Sequence, residues 1–204
     1  MGIGHQQNFF IGNSQHRYQS GGELRKKKAG RKQRPLSTKE PLHVVFKINK
    51  ANLKGRSLRN PQSFLIIQKI FKKYGLLFSV KIEQLSIQND HLHLLIRAPR
   101  RAKFHHFFRV VAGQIAQVFA KEGLLRILSN QHVTDTPNNQ NTRDKAGTSL
   151  WKYRPFSRVV RGWRTYKIVR DYIQLNEKEA RGGIPYRKER LKGLSSADWQ
   201  ILWC

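Results

Sequence analysis

The chain has 204 residues, 38% of them hydrophobic, and its 40 Lys+Arg against 12 Asp+Glu give a formal net charge of +28. That length supports one sizeable core with extensions rather than two full domains, and a charge so large calls for a polyanion partner to relieve self-repulsion, nucleic acid first and an anionic membrane second. The only cysteine is Cys204, which excludes an internal disulfide framework and a multi-cysteine zinc module; no stretch approaches the roughly 18 apolar residues of a spanning helix, and no signal pattern opens the chain, so it reads as cytoplasmic.

Residues 1–40 are rich in Gly, Gln and basic side chains and show no periodicity, which predicts a disordered basic arm whose run Arg25, Lys26, Lys27, Lys28 can track phosphates. A β-branched and aromatic run, Leu42 to Ile48, predicts a first strand. After the turn at Asn60-Pro61, apolar Phe64, Ile67, Ile70, Phe71 and Tyr74 recur at helical spacing, with Gly75 as the expected stop. Residues 77–87 predict a second strand, and Asn89-Asp90 a turn into a third, so that strands two and three form a hairpin. From 103 to 122 a long amphipathic helix is expected, ending at Gly123, then a polar loop over 129–149. Residues 150–161 alternate large apolar and basic side chains and supply a fourth strand; a helix from 163 to 180 and a basic, aromatic extension over 182–204 follow. The order β-α-β-β-α-β is that of an α+β, ferredoxin-like (split βαβ) antiparallel sheet with an added C-terminal helix, within a domain spanning 41–181. Two helices on one face would leave the other face of the sheet open to a ligand.

His91 and His93 stand in Asn-Asp-His-Leu-His-Leu-Leu-Ile, separated by one leucine. On a strand, side chains two apart share a face about 6–7 Å from one another, so both imidazoles can meet one ion. In isolation, such a pair is more often packing than ligand. His105 and His106 open the long helix and are read as a solvated or phosphate-facing surface.

The His91–Ile96 strand, the segment Trp151-Lys152-Tyr153-Arg154-Pro155-Phe156-Ser157-Arg158-Val159-Val160-Arg161 and the helix Arg170-Asp171-Tyr172-Ile173-Gln174-Leu175-Asn176 resemble the HUH-type single-tyrosine transposases, in particular the REP-associated tyrosine transposase branch, over roughly residues 41–181. The resemblance implies a nuclease domain that cuts and rejoins single-stranded or hairpin-bearing DNA, with Tyr172 as nucleophile and a divalent metal, Mg²⁺ or Mn²⁺, held by His91, His93 and Asn176. Tyr172 and Asn176 are four apart and share a helical face. Tyr166 is a rival tyrosine, but Arg170 rather than an amide stands four residues after it. Attack by Tyr172 would leave a 5′-phosphotyrosine and a free 3′-hydroxyl, conserving the bond energy for rejoining. Where relatives carry His after Tyr-Ile, and Pro after the asparagine, this chain has Gln174, either an auxiliary ligand or a solvent-facing residue, and Glu177.

The aromatics Trp151, Tyr153, Phe156 and Trp163 are either core or, interleaved with Lys152, Arg154, Arg158, Arg161 and Arg164, a base-stacking and phosphate-tracking surface. Two other functions remain open from sequence: a non-catalytic nucleic-acid-binding domain on the same fold, and a domesticated hairpin-binding host factor with weak or lost cleavage. Nucleoid association in a monomer or homodimer fits any of the three.

Overall fold

The computed structural model describes residues 18–22, 33–126 and 149–203. Its strands are β1 (Gln19–Ser20), β2 (Leu42–Lys47), β3 (Lys81–Ile87), β4 (His91–Arg97) and β5 (Phe156–Val159); its helices are α1 (Pro61–Leu77), α2 (Arg101–Lys121), α3 (Trp163–Ala180) and α4 (Ser196–Trp203). Among the described residues the strands form one sheet of order β1-β5-β2-β4-β3, with every adjacent pair antiparallel. Without β1, the strands and the first two helices are the expected β-α-β-β-α-β plan, with β4 inserted between β2 and β3 and β2 inserted between β4 and β5. No described helix is long and apolar enough to cross a membrane.

Alternation along the strands decides which face packs where. Val44 and Phe46 of β2 and Leu92, Leu94 and Ile96 of β4 are fully buried with Phe71 of α1 and Phe104, Phe107 and Phe119 of α2. Each such aromatic or aliphatic side chain contributes about 1.5–3 kcal/mol by leaving water, so this layer holds the domain together. The opposite face is not open, contrary to the sequence expectation. Helix α3 packs across β3 and β4, and Leu95 joins Val160, Val169 and Ile173 in a second apolar cluster there. This double coverage is why Leu94, Leu95 and Ile96 are all buried rather than alternating.

Several boundaries differ from the expected ones for physical reasons. Asn60 caps α1 by accepting from the Gln62 N–H, with Pro61 at the first position, as the sequence predicts. Gly75, however, does not stop the helix, which continues to Leu77, so the next strand starts at Lys81. A Cβ on Gly75 would lie 3.2 Å from the Val80 carbonyl oxygen and 3.5 Å from Ile82 Cδ1; the glycine permits close approach of the following turn.

Parts of the two flanking segments belong to the fold. Gln19–Ser20 extends the sheet beyond β5, with the Gly22 N–H bonded to the Arg154 carbonyl, and Leu36 is buried in the main core. A Cβ on Gly21, at φ +88°, would come within 2.2 Å of the Pro155 oxygen, so this turn requires glycine. The basic run at 25–28, the loop from 127 to 148 and Cys204 lie outside the described residues. At the other end, α4 packs Leu202 against Leu175 and Ile184, and Ser195 and Asp198 cap it reciprocally.

Glu177 anchors α3. Its carboxylate accepts from the Ile87 N–H at 3.1 Å, lies 3.5 Å from Arg59 and accepts from Arg181 Nε at 2.8 Å. The residue that continues the helix also docks it on β3. Glu177→Ala is expected to cost about 3 kcal/mol, because it leaves the Ile87 amide without its acceptor and removes the counter-charge of part-buried Arg59. Urea denaturation measures this; a loss below about 1 kcal/mol would refute the anchoring role.

Candidate catalytic centre

His91, His93, Leu95 and Arg97 share the face of β4 that turns toward α3, by the two-residue period of the strand. Register then sets their neighbours: Lys47 of β2 lies opposite His91, Val45 opposite His93 and His43 opposite Leu95, while Ser86 of β3 flanks His93. His93 is only 1% exposed. Its Nδ1 is 3.1 Å from Nε2 of His43, whose ring stacks on it with centroids 5.3 Å apart. Burial lowers the pKa of both, His43 to about 4 with help from the Arg158 and His91 charges, and His93 well below its usual value with help from His91, His43 and Arg190. Both rings are therefore neutral near pH 7, and a single proton lies between them. Nε2 of His93 is buried and has no hydrogen-bond partner.

His91 is oriented differently. Its Nδ1 is 2.6 Å from Asp90 Oδ1, and this bond is the main reason the Asp90 carboxyl falls to about 2, against the opposing effect of burial. A carboxylate on Nδ1 fixes the tautomer that leaves a lone pair on Nε2. The His91 and His93 rings stand nearly perpendicular, with centroids 4.7 Å apart.

Helix α3 carries Tyr172 to this cluster. Its ring meets His93 edge to face at 5.7 Å, and Asn176 follows one turn later, buried, with its backbone carbonyl accepting from Gln88 Nε2 at 2.7 Å. Three of the four residues singled out in sequence thus meet Arg190, which the sequence did not single out. The guanidinium lies 5.4 Å from the Tyr172 ring centroid, donates from Nη2 to Asn176 Oδ1, pairs with Glu179 at 2.8 Å and contributes to the depressed His93 pKa. Arg190 adopts φ +56°, a left-handed conformation costly for a side-chain-bearing residue, so its contacts hold it in place.

The donor set fits a divalent ion in part. Among the described residues there is no group of three His, Cys, Asp or Glu side chains able to hold a metal. Two histidines with Nδ1 engaged and Nε2 left over do match the usual arrangement of metal-binding imidazoles. Asn176 is less ready: Arg190 occupies Oδ1, the only atom of the amide that can ligate, and Nδ2 is buried without a partner.

Other expectations resolve against the structure. Gln174 neither joins the histidines nor faces bulk solvent; its Nε2 bonds the Leu202 carbonyl and ties α3 to α4. Arg158 is buried on β5 opposite His43, not on an exposed DNA-tracking surface, because the alternation of a four-residue strand turns it onto the histidine face. Trp151 packs on Phe46 and donates to the Ala112 carbonyl. Lys152, Arg154, Arg161, Arg164 and Trp163 are exposed, Trp163 stacking on Tyr166. Tyr166 lies beside Arg97 and Glu83, at the far end of β4 from His91, and burial and Glu83 raise its pKa. His106 stacks on Phe78. His43 and Arg190 escaped the sequence reading because cross-strand register and the return of the chain after α3 bring them in; the strand period of 42–47 was the one available signal for His43.

No protein family matches the chain, and no curated protein does. Among solved structures, a REP-associated tyrosine transposase bound to a REP hairpin is similar, at 14% identity with a TM-score of 0.52, covering 76% of each chain. A candidate transposase from Deinococcus radiodurans R1 is more distant, at 15% identity and a TM-score of 0.40, covering 72% of this chain and 98% of the other. The first of these likenesses establishes that the chain has the fold of a REP-associated tyrosine transposase.

Proposed function

We propose that this protein is a metal-assisted, single-tyrosine DNA strand transferase of the HUH type that acts on hairpin-bearing single strands. The observation that carries the reading is the Tyr172 ring against His93, a neutral imidazole whose buried Nε2 has no partner. His91 and His93 would hold Mg²⁺ or Mn²⁺, with Asn176 Oδ1 as third ligand once Arg190 gives it up. When bound, the ion would neutralise charge building on the phosphate oxygens. The Tyr172 oxygen forms a bond to phosphorus, the bond to the 3′-oxygen breaks, and the phenolic proton leaves as the 3′-oxygen gains one. The product is a 5′-phosphotyrosine, which a 3′-hydroxyl can reverse without ATP. His43 and Asp90 position the two imidazoles. Arg190 supplies positive charge beside Tyr172, although its grip on Asn176 also favours a second reading, a hairpin-binding host factor whose cleavage is attenuated.

Incubation with labelled hairpin DNA and Mn²⁺, followed by a denaturing gel, is expected to show a covalent protein–DNA adduct. Tyr172→Phe should lower its yield at least 100-fold while Tyr166→Phe leaves it; the reverse pattern would move the nucleophile to Tyr166. His43→Ala should weaken Mn²⁺ binding, read by the electron paramagnetic resonance of free Mn²⁺, by roughly 10-fold, as loss of an imidazole's hydrogen-bond partner does elsewhere. Unaltered affinity would show that His43 only packs. Arg190→Gln should tighten Mn²⁺ binding and raise adduct yield; a fall in both would mean that Arg190 supports the chemistry rather than restrains it.

A further inference from the structure

A second feature lies at the other end of the sheet. Where β2 begins and β5 ends, a cavity of about 440 Å³ opens between Tyr18, residues 33–40 and the start of α2. Leu42 pairs with Val159 there, whereas Val45 pairs with His93 and Lys47 with His91, so the cavity is roughly 10 Å along the strand from His93 and about 17 Å from His91. It is separate from the histidine centre.

Its lining is cationic. Arg34, Lys39, Arg101 and Arg161 contribute four positive charges and Glu40 one negative, a balance of +3. None of these four cations takes part in an ion pair among the described residues. Among the described residues Arg34 hydrogen-bonds a neutral partner, the Ser157 hydroxyl at 3.1 Å, and lies over the Phe108 ring. Burial and the neighbouring Arg154 charge lower its pKa, as expected of a desolvated cation lacking a counter-charge. Arg161 lies over the Tyr18 ring at 4.8 Å and donates to its hydroxyl at 2.6 Å. Clustered guanidinium groups repel unless an anion sits among them, and their planar forks match phosphate oxygens. The volume suits one nucleotide, and an arginine–tyrosine stack is the kind of surface on which a base lies.

We propose that this cavity is a DNA subsite outside the catalytic centre, in which Arg34, Arg101 and Arg161 hold a phosphodiester group of the strand and the Tyr18–Arg161 pair receives the adjoining base. The proposal takes DNA as the bound polymer but requires neither metal nor cleavage, so it stands or falls apart from the Tyr172 chemistry.

The test uses the full chain in EDTA with a fluorescent single-stranded oligonucleotide carrying 5-iododeoxyuridine. Replacing the exposed Arg101 and Arg161 together by Ala should weaken binding at least 10-fold and reduce the slope of log K against log salt by about 0.7, as for one lost phosphate contact to a single strand. Lys69→Ala with Lys72→Ala, on the exposed face of α1, removes the same charge and should change affinity less than 2-fold. Equal losses in the two double variants would overturn the proposal, as would no loss in the first. Photolysis of the wild-type complex should attach the strand to the peptide containing Tyr18; attachment only elsewhere would refute the subsite. Displacement of the strand by millimolar inorganic phosphate or a deoxynucleoside monophosphate would reassign the cavity to small anions. An RNA of the same sequence losing as much affinity in the Arg101/Arg161 variant would overturn the assignment to DNA and make the cavity a subsite for single strands of either sugar.

Discussion

The docking of α3 onto the histidine face of β4 is the contact on which the candidate site depends. Leu95 is the apolar residue between His93 and Arg97 on that face, and Val169 and Ile173 close over it. The same helical face then continues to Tyr172 and Asn176, so the packing that excludes water also sets how far the phenol stands from the imidazole. Glu177 completes the attachment from the far end by accepting the Ile87 amide. A helix held only by its apolar stripe could slide by a turn; a buried carboxylate bonded to one particular amide fixes the register.

A strongly basic chain must also manage its cations once folded. With 12 acidic residues for 40 basic ones, most arginines have no carboxylate available. The few acids are placed where they orient other groups: Asp90 on His91, Glu177 on Arg59 and Arg181, Glu179 on Arg190. Elsewhere arginines lie on rings, as Arg34 does on Phe108 and Arg161 on Tyr18. Burial keeps His43, beside Arg158, and His93, beside Arg190, neutral. That condition suits metal ligation, and it leaves the uncompensated positive charge for a polyanion.

The His-x-His strand, the Tyr172–Asn176 spacing and the element order were legible because each rests on local periodicity, and the observed α3 limits agree with the apolar pattern of 163–180. Gly75 misled because a glycine that admits a neighbour looks the same in sequence as one that ends a helix. Gln174 and Arg158 misled for a related reason: their helical and strand positions are clear, but what covers each face is not. Arg158 sits on the buried face of β5, and the Gln174 side chain meets α4 rather than the histidines or solvent.

The sequence by itself determined the α+β class, the pairing of two histidines on one strand face, the placing of a tyrosine and an asparagine on one helical face, and the excess of positive charge. These follow from periods of two and 3.6 residues and from counting. Only the tertiary structure decided that His43 abuts His93, that Arg190 returns to hold Asn176, and that Tyr18 meets Arg34, Arg101 and Arg161 around a cavity. Those contacts join residues far apart in the chain, and strand register and helix docking, set by the burial of many side chains at once, choose among pairings that local sequence leaves equivalent.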